Sequence, residues 1–152
     1  MANNARQVRG NPQAITLPKV SSDVIEVGDL LFYDTAADAV RPATQVSGGT
    51  YAAKVTAFAG RFVGVAVTGH AAGDTTPVTV ATGGDFVFVA PSGSGTDYDV
   101  GDYLAIGDGT NVQNQTVIKT GTATDAIARV IGPKTTAQPF VTLRIVSRLN
   151  VL

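Results

Sequence analysis

Short apolar runs, separated by turn residues, follow one another along most of the chain. From Leu30 onward these runs are rich in Val, Ile, Thr and aromatic residues and are bounded by Gly, Pro, Asp or Ser, a pattern that favours β-strands. The predicted strands are residues 54–58, 61–68, 77–82, 85–90, 102–106, 112–119, 126–132 and 140–147. Many short strands at this spacing predict an all-β protein, a compact antiparallel β-sandwich or barrel.

The dipeptide Gly83-Gly84 separates two of these runs. Glycine reaches positive φ freely, and two-residue loops of this kind join the strands of tight hairpins. The sequence therefore predicts a hairpin between residues 77–82 and 85–90. The second strand, "DFVFVA", carries Phe86 and Phe88 on one face and Val87 and Val89 on the other. Both faces should be covered, either in the core or by another subunit.

Residues 1–22 show neither a helical nor a strand period, and Pro12 and Pro18 favour extended backbone around them. We predict an extended N-terminal arm here, followed by a single β-domain over residues 23–152. A disordered tail is the alternative. The three cations of the segment, Arg6, Arg9 and Lys19, make it a candidate contact with a neighbouring subunit. Without a core-forming pattern, its deletion should leave the β-domain folded.

Composition supports the all-β prediction, because the chain has a single Glu and a single Met among its 152 residues and is rich in Thr and Val. It has no cysteine, so no disulfide or thiolate metal site can form.

The net charge of −1 is unevenly distributed along the chain. Residues 1–22 carry +3 and residues 129–152 carry +4, whereas all twelve acids lie between these segments. So acidic a body argues against nucleic acid as partner. No signal-peptide or membrane-spanning run is present, which favours synthesis in the cytoplasm.

The stretch "TDYDVGDYLAIGDGTN" (96–111) holds four carboxylates and is the most site-like part of the sequence. Asp97 and Asp99 alternate as calcium ligands do, but position 101 is Gly and no closing Glu follows. An internal repeat favours another interpretation. "VGDLLFYD" (27–34) and "VGDYLAIGD" (100–108) share a Val-Gly-Asp phrase, and each is followed by a later apolar run.

The repeated phrase predicts two equivalent turns rather than a metal site. Gly28 and Gly101 would supply the turn conformation, and the oxygens of Asp29 and Asp102 would accept hydrogen bonds from backbone N–H groups. Other chemistry is poorly supported: His70 is the only histidine, Ser94 lacks a nucleophile-elbow motif or an evident His-Asp pair, and "GDGTN" lacks a phosphate-loop lysine. We predict no catalytic residue, no cofactor and no metal, and hence no enzyme.

The Gly-Asp phrases, "FVGVAVTG", "VTVATGGDFVF" and "DVGDYLAIGDG…AIARVIG" resemble phage head decoration proteins, also called capsid cement proteins. The resemblance covers roughly Val24 to Arg148. It departs in a longer polar arm and in "SGGTYAAKVTAF", which is inserted before "FVGVAV". It implies a structural virion protein, often a homotrimer, bound to the outer surface of the phage head. There it would contact the major capsid protein and stabilise the shell against internal DNA pressure.

Two other classes stay open at this point. A β-rich receptor- or glycan-binding module of a phage tail or adhesin is one, although the chain has no Trp and its four Tyr residues are scattered. An enzyme or its accessory domain is the other, for which no residue constellation is evident. Neither a membrane nor a nucleic acid is expected as a partner.

Overall fold

Eleven strands and one α-helix form the parts of the chain that the structure, a computed structural model, describes, residues 6–9 and 13–150. The strands are β1 (Arg6–Arg9), β2 (Ala14–Leu17), β3 (Leu30–Asp34), β4 (Ala39–Pro42), β5 (Phe62–Ala66), β6 (Val78–Ala81), β7 (Asp85–Val89), β8 (Tyr103–Ile106), β9 (Val117–Thr120), β10 (Ala128–Gly132) and β11 (Phe140–Ile145). Helix α1 (Tyr51–Gly60) joins β4 to β5. Three short 3-10 helices complete the described elements: Ala43–Gln45, Ala123–Asp125 and Arg148–Asn150.

The strands form two antiparallel sheets, which confirms the predicted all-β class. One sheet has the order β2-β6-β5-β3-β4, and the other has the order β1-β7-β11-β10-β8-β9. Apart from β1, the two sheets have the same strand order. If the strands of each sheet are numbered from one to five along the chain, both orders read 1-5-4-2-3. The internal repeat predicted from the Gly-Asp phrases is therefore a repeat of a whole five-stranded unit, β2 to β6 and β7 to β11.

Each five-stranded unit curls until its first and third strands approach each other. Parallel bridges join Lys19, just after β2, to Val40 of β4, and Val89 of β7 to Thr116, just before β9. This curling places one set of side chains inside each unit. Inside the first unit lies a core cluster that includes Leu31, Val40, Val63, Val78 and Val80.

Helix α1 packs between the two units. Its N-cap is Thr50, whose Oγ1 accepts a hydrogen bond from the Ala53 N–H at 3.2 Å. Val55, Phe58 and Ala59 are buried at helical spacing and join the larger core cluster, which spans both units. The sequence predicted a strand over residues 54–58, and this prediction was wrong.

Each helix among the described residues is too short to cross a membrane.

The predicted Gly83-Gly84 hairpin was also wrong. β6 pairs with β2 and β5, whereas β7 pairs with β1 and β11, so the two runs lie in different sheets. Gly84 does adopt a positive φ of 117°. The dipeptide therefore redirects the chain from one unit to the next instead of folding it back on itself.

Strand β7 is a core strand with unequal faces. Phe86 and Phe88 are buried and their ring centroids lie 6.2 Å apart, while Val87 and Val89 on the opposite face are only half-buried. The sequence predicted that both faces are covered. In the structure only the face with the phenylalanines is fully covered.

The N-terminal segment contributes two strands that the sequence did not predict. β1 pairs with β7, and β2 pairs with β6 from Ala14↔Ala81 to Leu17↔Val78. Ile15 and Leu17 are half-buried against the core of the first unit. The alternation was too short to detect in the sequence, because only two inward-facing residues precede Pro18. At β2 the segment is thus part of the fold of its own chain.

Candidate functional site

The two Gly-Asp turns have the geometry that the sequence predicts. Gly28 and Gly101 both have φ of 95°, in the left-handed region that glycine adopts without strain. Asp29 Oδ2 accepts a hydrogen bond from the N–H of Glu26 at 2.9 Å, and Asp102 Oδ2 accepts one from the N–H of Asp99, also at 2.9 Å. The carboxylates close turns three residues back in the chain, as capping groups do.

Each turn is tied to the strand beside it in the same way. The Gly28 N–H donates to the Ala66 carbonyl and the Gly101 N–H donates to the Val130 carbonyl, both at 2.8 Å. The Ala66 N–H in return donates to the carbonyl of Asp29 at 2.8 Å, and the Val130 N–H to that of Asp102 at 3.0 Å. The repeated phrase is thus a structural device that starts the second strand of each unit.

The two aspartates differ in their electrostatic surroundings. Asp29 is buried, which raises the pKa of its carboxyl group, although it accepts hydrogen bonds from the Glu26 N–H and from Gln115 Nε2. Asp102 lies partly exposed at 2.6 Å from Lys119 Nζ, and this ammonium lowers the pKa of Asp102. The pKa of Asp102 is lowered, so its ionised form stabilises the fold above the unfolded-state pKa. That contribution is lost as pH falls through the folded-state value.

Replacing Asp102 with asparagine should therefore destabilise the protein at neutral pH by up to about 1 kcal/mol, since a partly exposed ion pair is lost. The difference from wild type should begin to shrink below about pH 4, where the carboxyl group of the unfolded wild type becomes protonated, and it should vanish only below the lowered pKa of the folded state. Urea unfolding at several pH values measures this. Asp97→Asn, which removes the same charge from an exposed side chain in the same stretch, is the matched control. Asp97 attracts the Lys134 ammonium without a close ion pair, so this variant should lose less stability than Asp102→Asn. A pH-independent loss in Asp102→Asn would contradict the ion-pair explanation.

Asp108, at the end of this stretch, also shapes the backbone. Asp108 Oδ1 accepts hydrogen bonds from the N–H groups of Thr110 at 2.8 Å and Asn111 at 2.7 Å. These bonds lower the pKa of Asp108. Within residues 13–149, whose side chains the structure describes, no group of three or more His, Asp or Glu side chains is placed to hold a metal ion.

His70 belongs to a polar cluster that sequence reasoning missed. Its Nδ1 lies 2.9 Å from Asp74 Oδ2, and its Nε2 lies 2.8 Å from Thr68 Oγ1. A proton on Nδ1 lets the ring donate to Asp74 and accept from the hydroxyl of Thr68. Thr68 Oγ1 in turn accepts from the Thr79 N–H at 3.1 Å, and Thr76 donates to Asp74 through both its N–H and its hydroxyl. The cluster thus anchors the loop after β5 to β6.

The lysines of the two basic ends are not available to a partner. Lys19 is buried and its Nζ donates to the carbonyl oxygens of Val20, Ser21 and Asp23 at 3.0 to 3.3 Å. This differs from its predicted role in a partner-contact arm. Lys134 is buried too, with Nζ 2.8 Å from the Thr96 carbonyl oxygen and 4.9 Å from the centre of the Tyr98 ring. Each ammonium thus binds backbone carbonyl oxygens of the loop around it.

The arginines of the C-terminal end lie together on an outward surface, which we call the basic face. It is formed by the outward side chains of β8, β10 and β11 and by Val146, directly after β11. Arg144 and Arg129 are cross-strand neighbours, and Arg129 is the cross-strand neighbour of Tyr103. Arg144 also lies opposite Asp85 of β7, with Nε–Oδ1 and Nη2–Oδ2 distances of 2.7 and 3.1 Å.

The basic face also carries exposed apolar side chains. Along β11 and beyond, the outward residues include Phe140, which is 45% exposed, Arg144, and Val146, which is 44% exposed. The N-terminal end reaches the same sheet, because Arg9 of β1 stands opposite Asp85 in register. The side chains of Arg6 and Arg9 lie outside the described residues. The fold thus brings both basic ends of the sequence to one sheet.

Comparison with known proteins gives no family for the chain. It matches no protein-family model, and no curated protein matches its sequence.

Proposed function

We propose that this protein is a structural virion protein, a decoration or cement protein on the outer surface of a phage head. The resemblance of the Gly-Asp phrases and their following runs is the reason to consider this class. The observation that carries the proposal is the basic face, where Arg129 and Arg144 lie on the same sheet as the exposed apolar side chains of Phe140 and Val146. The major capsid protein is the proposed partner.

The basic face has the composition of a protein-docking surface. Arginine and aromatic residues are enriched in protein interfaces, and exposed aliphatic residues supply apolar contact. Asp85 of β7 stands beside this face, and Arg144 forms a bidentate pair with it. Arg129 adds a positive charge that no carboxylate in the described part of the chain neutralises. The face therefore suits an acidic partner surface with apolar patches.

Modest contacts of this kind become a strong clamp when they are repeated. Many copies on one shell, each touching more than one capsid subunit, gain affinity through effective concentration rather than through any single contact. We extend the proposal to a homotrimer, which would present three basic faces at a junction between capsid proteins.

The direct test is co-sedimentation of the purified chain with empty mature shells of its phage. Binding is expected, and it should weaken when the salt concentration rises from about 50 mM to about 500 mM, because exposed charges are screened. Phe140→Asp, which places an acid on the basic face, should reduce binding at least tenfold. Val24→Asp is the matched control, because Val24 is similarly exposed, at 55%, but lies in the first unit; it should bind like wild type.

Two results would contradict the proposal. One is the absence of shell binding by a folded wild-type chain at low salt. The other is binding that both aspartate variants retain equally, which would place the contact elsewhere on the molecule. Binding to a glycan array without binding to shells would support the alternative of a receptor-binding module.

A further inference from the structure

An open pocket of about 250 Å³ lies at the edge of the basic face. Three alanines between residues 123 and 128, together with Val146, form its apolar part, and Tyr103, Arg129 and Arg148 supply its polar groups. Sites for drug-sized ligands run from roughly 300 to 1,000 Å³. A pocket of this size therefore suits a single side chain of a partner better than a free ligand.

Neutral groups hold both guanidinium groups in place. Arg129 donates from Nη2 to Tyr103 Oη at 2.9 Å and from Nη1 to the Gly101 carbonyl at 3.3 Å, and its Cζ lies 4.3 Å from the centre of the Tyr103 ring. Arg148 donates from Nε to the carbonyl of Ala59, in the last turn of α1, at 2.8 Å, and from Nη2 to the Thr124 carbonyl at 3.5 Å. The two side chains are thus positioned before any partner arrives.

The positive charges of these two arginines are not neutralised. Neither forms an ion pair with a carboxylate in the described part of the chain, in contrast to Arg41 and Arg144. A guanidinium has five N–H donors, and each of these two uses two of them on neutral groups. The unused donors and the charge together match a carboxylate, which guanidinium groups bind through paired, charge-assisted hydrogen bonds.

We propose that this pocket receives the carboxylate of an acidic side chain on the partner protein. The guanidinium groups of Arg129 and Arg148 bind its two oxygens, while the methylene groups of that side chain lie against the alanines and Val146. A glutamate fits this description better than an aspartate, because it has the longer apolar stem. That the partner is the capsid rests on the proposed function, whereas the preference of the pocket for a carboxylate does not.

The first experiment uses the full chain and two blocked tripeptides, acetyl-Ala-Glu-Ala-amide and its Gln analogue, in an NMR titration at low salt. The Glu peptide should shift backbone amide signals of residues 123–129 and 146–148, with an affinity at least tenfold higher than that of the Gln peptide. The double variant Arg129→Gln/Arg148→Gln should lose this preference. Equal affinity for the two peptides, or a preference that the double variant retains, would overturn the proposal.

Two further variants keep the test interpretable. Arg148 also caps a helix carbonyl, so Arg129→Gln alone, whose side chain is exposed, serves if the double variant fails to fold; it should weaken Glu-peptide binding at least fivefold. Arg61→Gln removes an exposed charge outside the pocket and should bind the Glu peptide like wild type. If the Arg61 variant loses the preference as fully as Arg129→Gln does, general electrostatic attraction explains the binding, and the proposal fails.

Shell co-sedimentation of the same variants separates this inference from the proposed function. Arg129→Gln should reduce shell binding at least fivefold where Arg61→Gln does not. Wild-type protein that binds the Glu peptide selectively but does not bind shells would refute the proposed function and leave the carboxylate pocket standing. Shell binding that is unaffected by Arg129→Gln would refute the pocket as the docking site and leave the proposed function standing.

Discussion

Replacing Gly64 with alanine should destabilise the protein by at least about 3 kcal/mol, which for a chain of this size lowers the melting temperature by roughly 6 to 12 °C. Gly64 lies in the middle of β5, between β3 and β6. A Cβ atom at this position would stand 2.0 Å from the carbonyl oxygen of Ala81 and 2.9 Å from its carbonyl carbon. These are backbone atoms of the neighbouring strand, so the clash is relieved only if β5 and β6 separate.

Urea unfolding and calorimetry of the variant measure the effect. Gly121→Ala is the matched control, because a Cβ atom there would have no heavy atom within 4 Å and its φ is outside the left-handed region. That variant should stay within about 0.5 kcal/mol of wild type. A Gly64→Ala protein that unfolds at the wild-type urea concentration would mean that β5 and β6 are not packed as closely as described.

Local chemistry explains why the Gly-Asp turns could be predicted and the Gly83-Gly84 connection could not. Gly28 and Asp29 form a turn through contacts within three residues, so the pattern alone contains the information. A hairpin needs the strands on either side of its turn to pair with each other. Here β6 and β7 end up in different sheets, a choice that depends on which distant strands, β2 and β11, cover their edges.

The same distinction explains the helix. Residues 54–58, "KVTAF", have a composition that a strand also tolerates. What favours the helix is the burial of Val55, Phe58 and Ala59 against both units, with ring centroids of Phe58 and Phe62 only 5.6 Å apart. The cap at Thr50 was a local signal that could have been used. The short strand β4 (Ala39–Pro42) had no comparable sequence signal. It is only four residues long and ends in a proline, a residue that argues against a strand.

The sequence predicted only part of the basic face. The charge asymmetry showed that both ends are basic, but the five cations with described side chains have three different fates. Lys19 and Lys134 are buried as loop anchors, Arg144 is paired with Asp85, and Arg129 and Arg148 form no ion pair among the described residues. The pairing of Arg144 depends on register across β7, β11 and β10, and the burial of the two lysines depends on loop contacts; a single sequence reveals neither.

Deletion of residues 1–22 should destabilise the protein strongly, by on the order of 5 kcal/mol. This reverses the expectation from the sequence that the segment is dispensable for folding. The deletion removes β2, so β6 loses a partner strand along its whole length, and the core of the first unit loses Ile15 and Leu17. It also removes Lys19, whose ammonium donates to the carbonyl of Asp23, and the hydrogen bond from the Val40 N–H to the Pro18 carbonyl at 2.8 Å. Since a domain is stable by only about 5 to 15 kcal/mol, the first unit should be close to unfolded.

A shorter deletion, residues 1–12, is the matched comparison, because it removes β1 and keeps β2 and Lys19. β1 pairs with β7 at three register positions and lies at the edge of its sheet. Its loss should cost no more than about 2 kcal/mol, and unfolding should remain a single cooperative transition. Thermal unfolding followed by circular dichroism, with hydrogen exchange of β6 amides, distinguishes the two deletions. If the longer deletion melts within a few degrees of the shorter one, then β2 and Lys19 contribute little to the fold. The N-terminal segment would then be free to serve as the partner-binding arm that its sequence predicts.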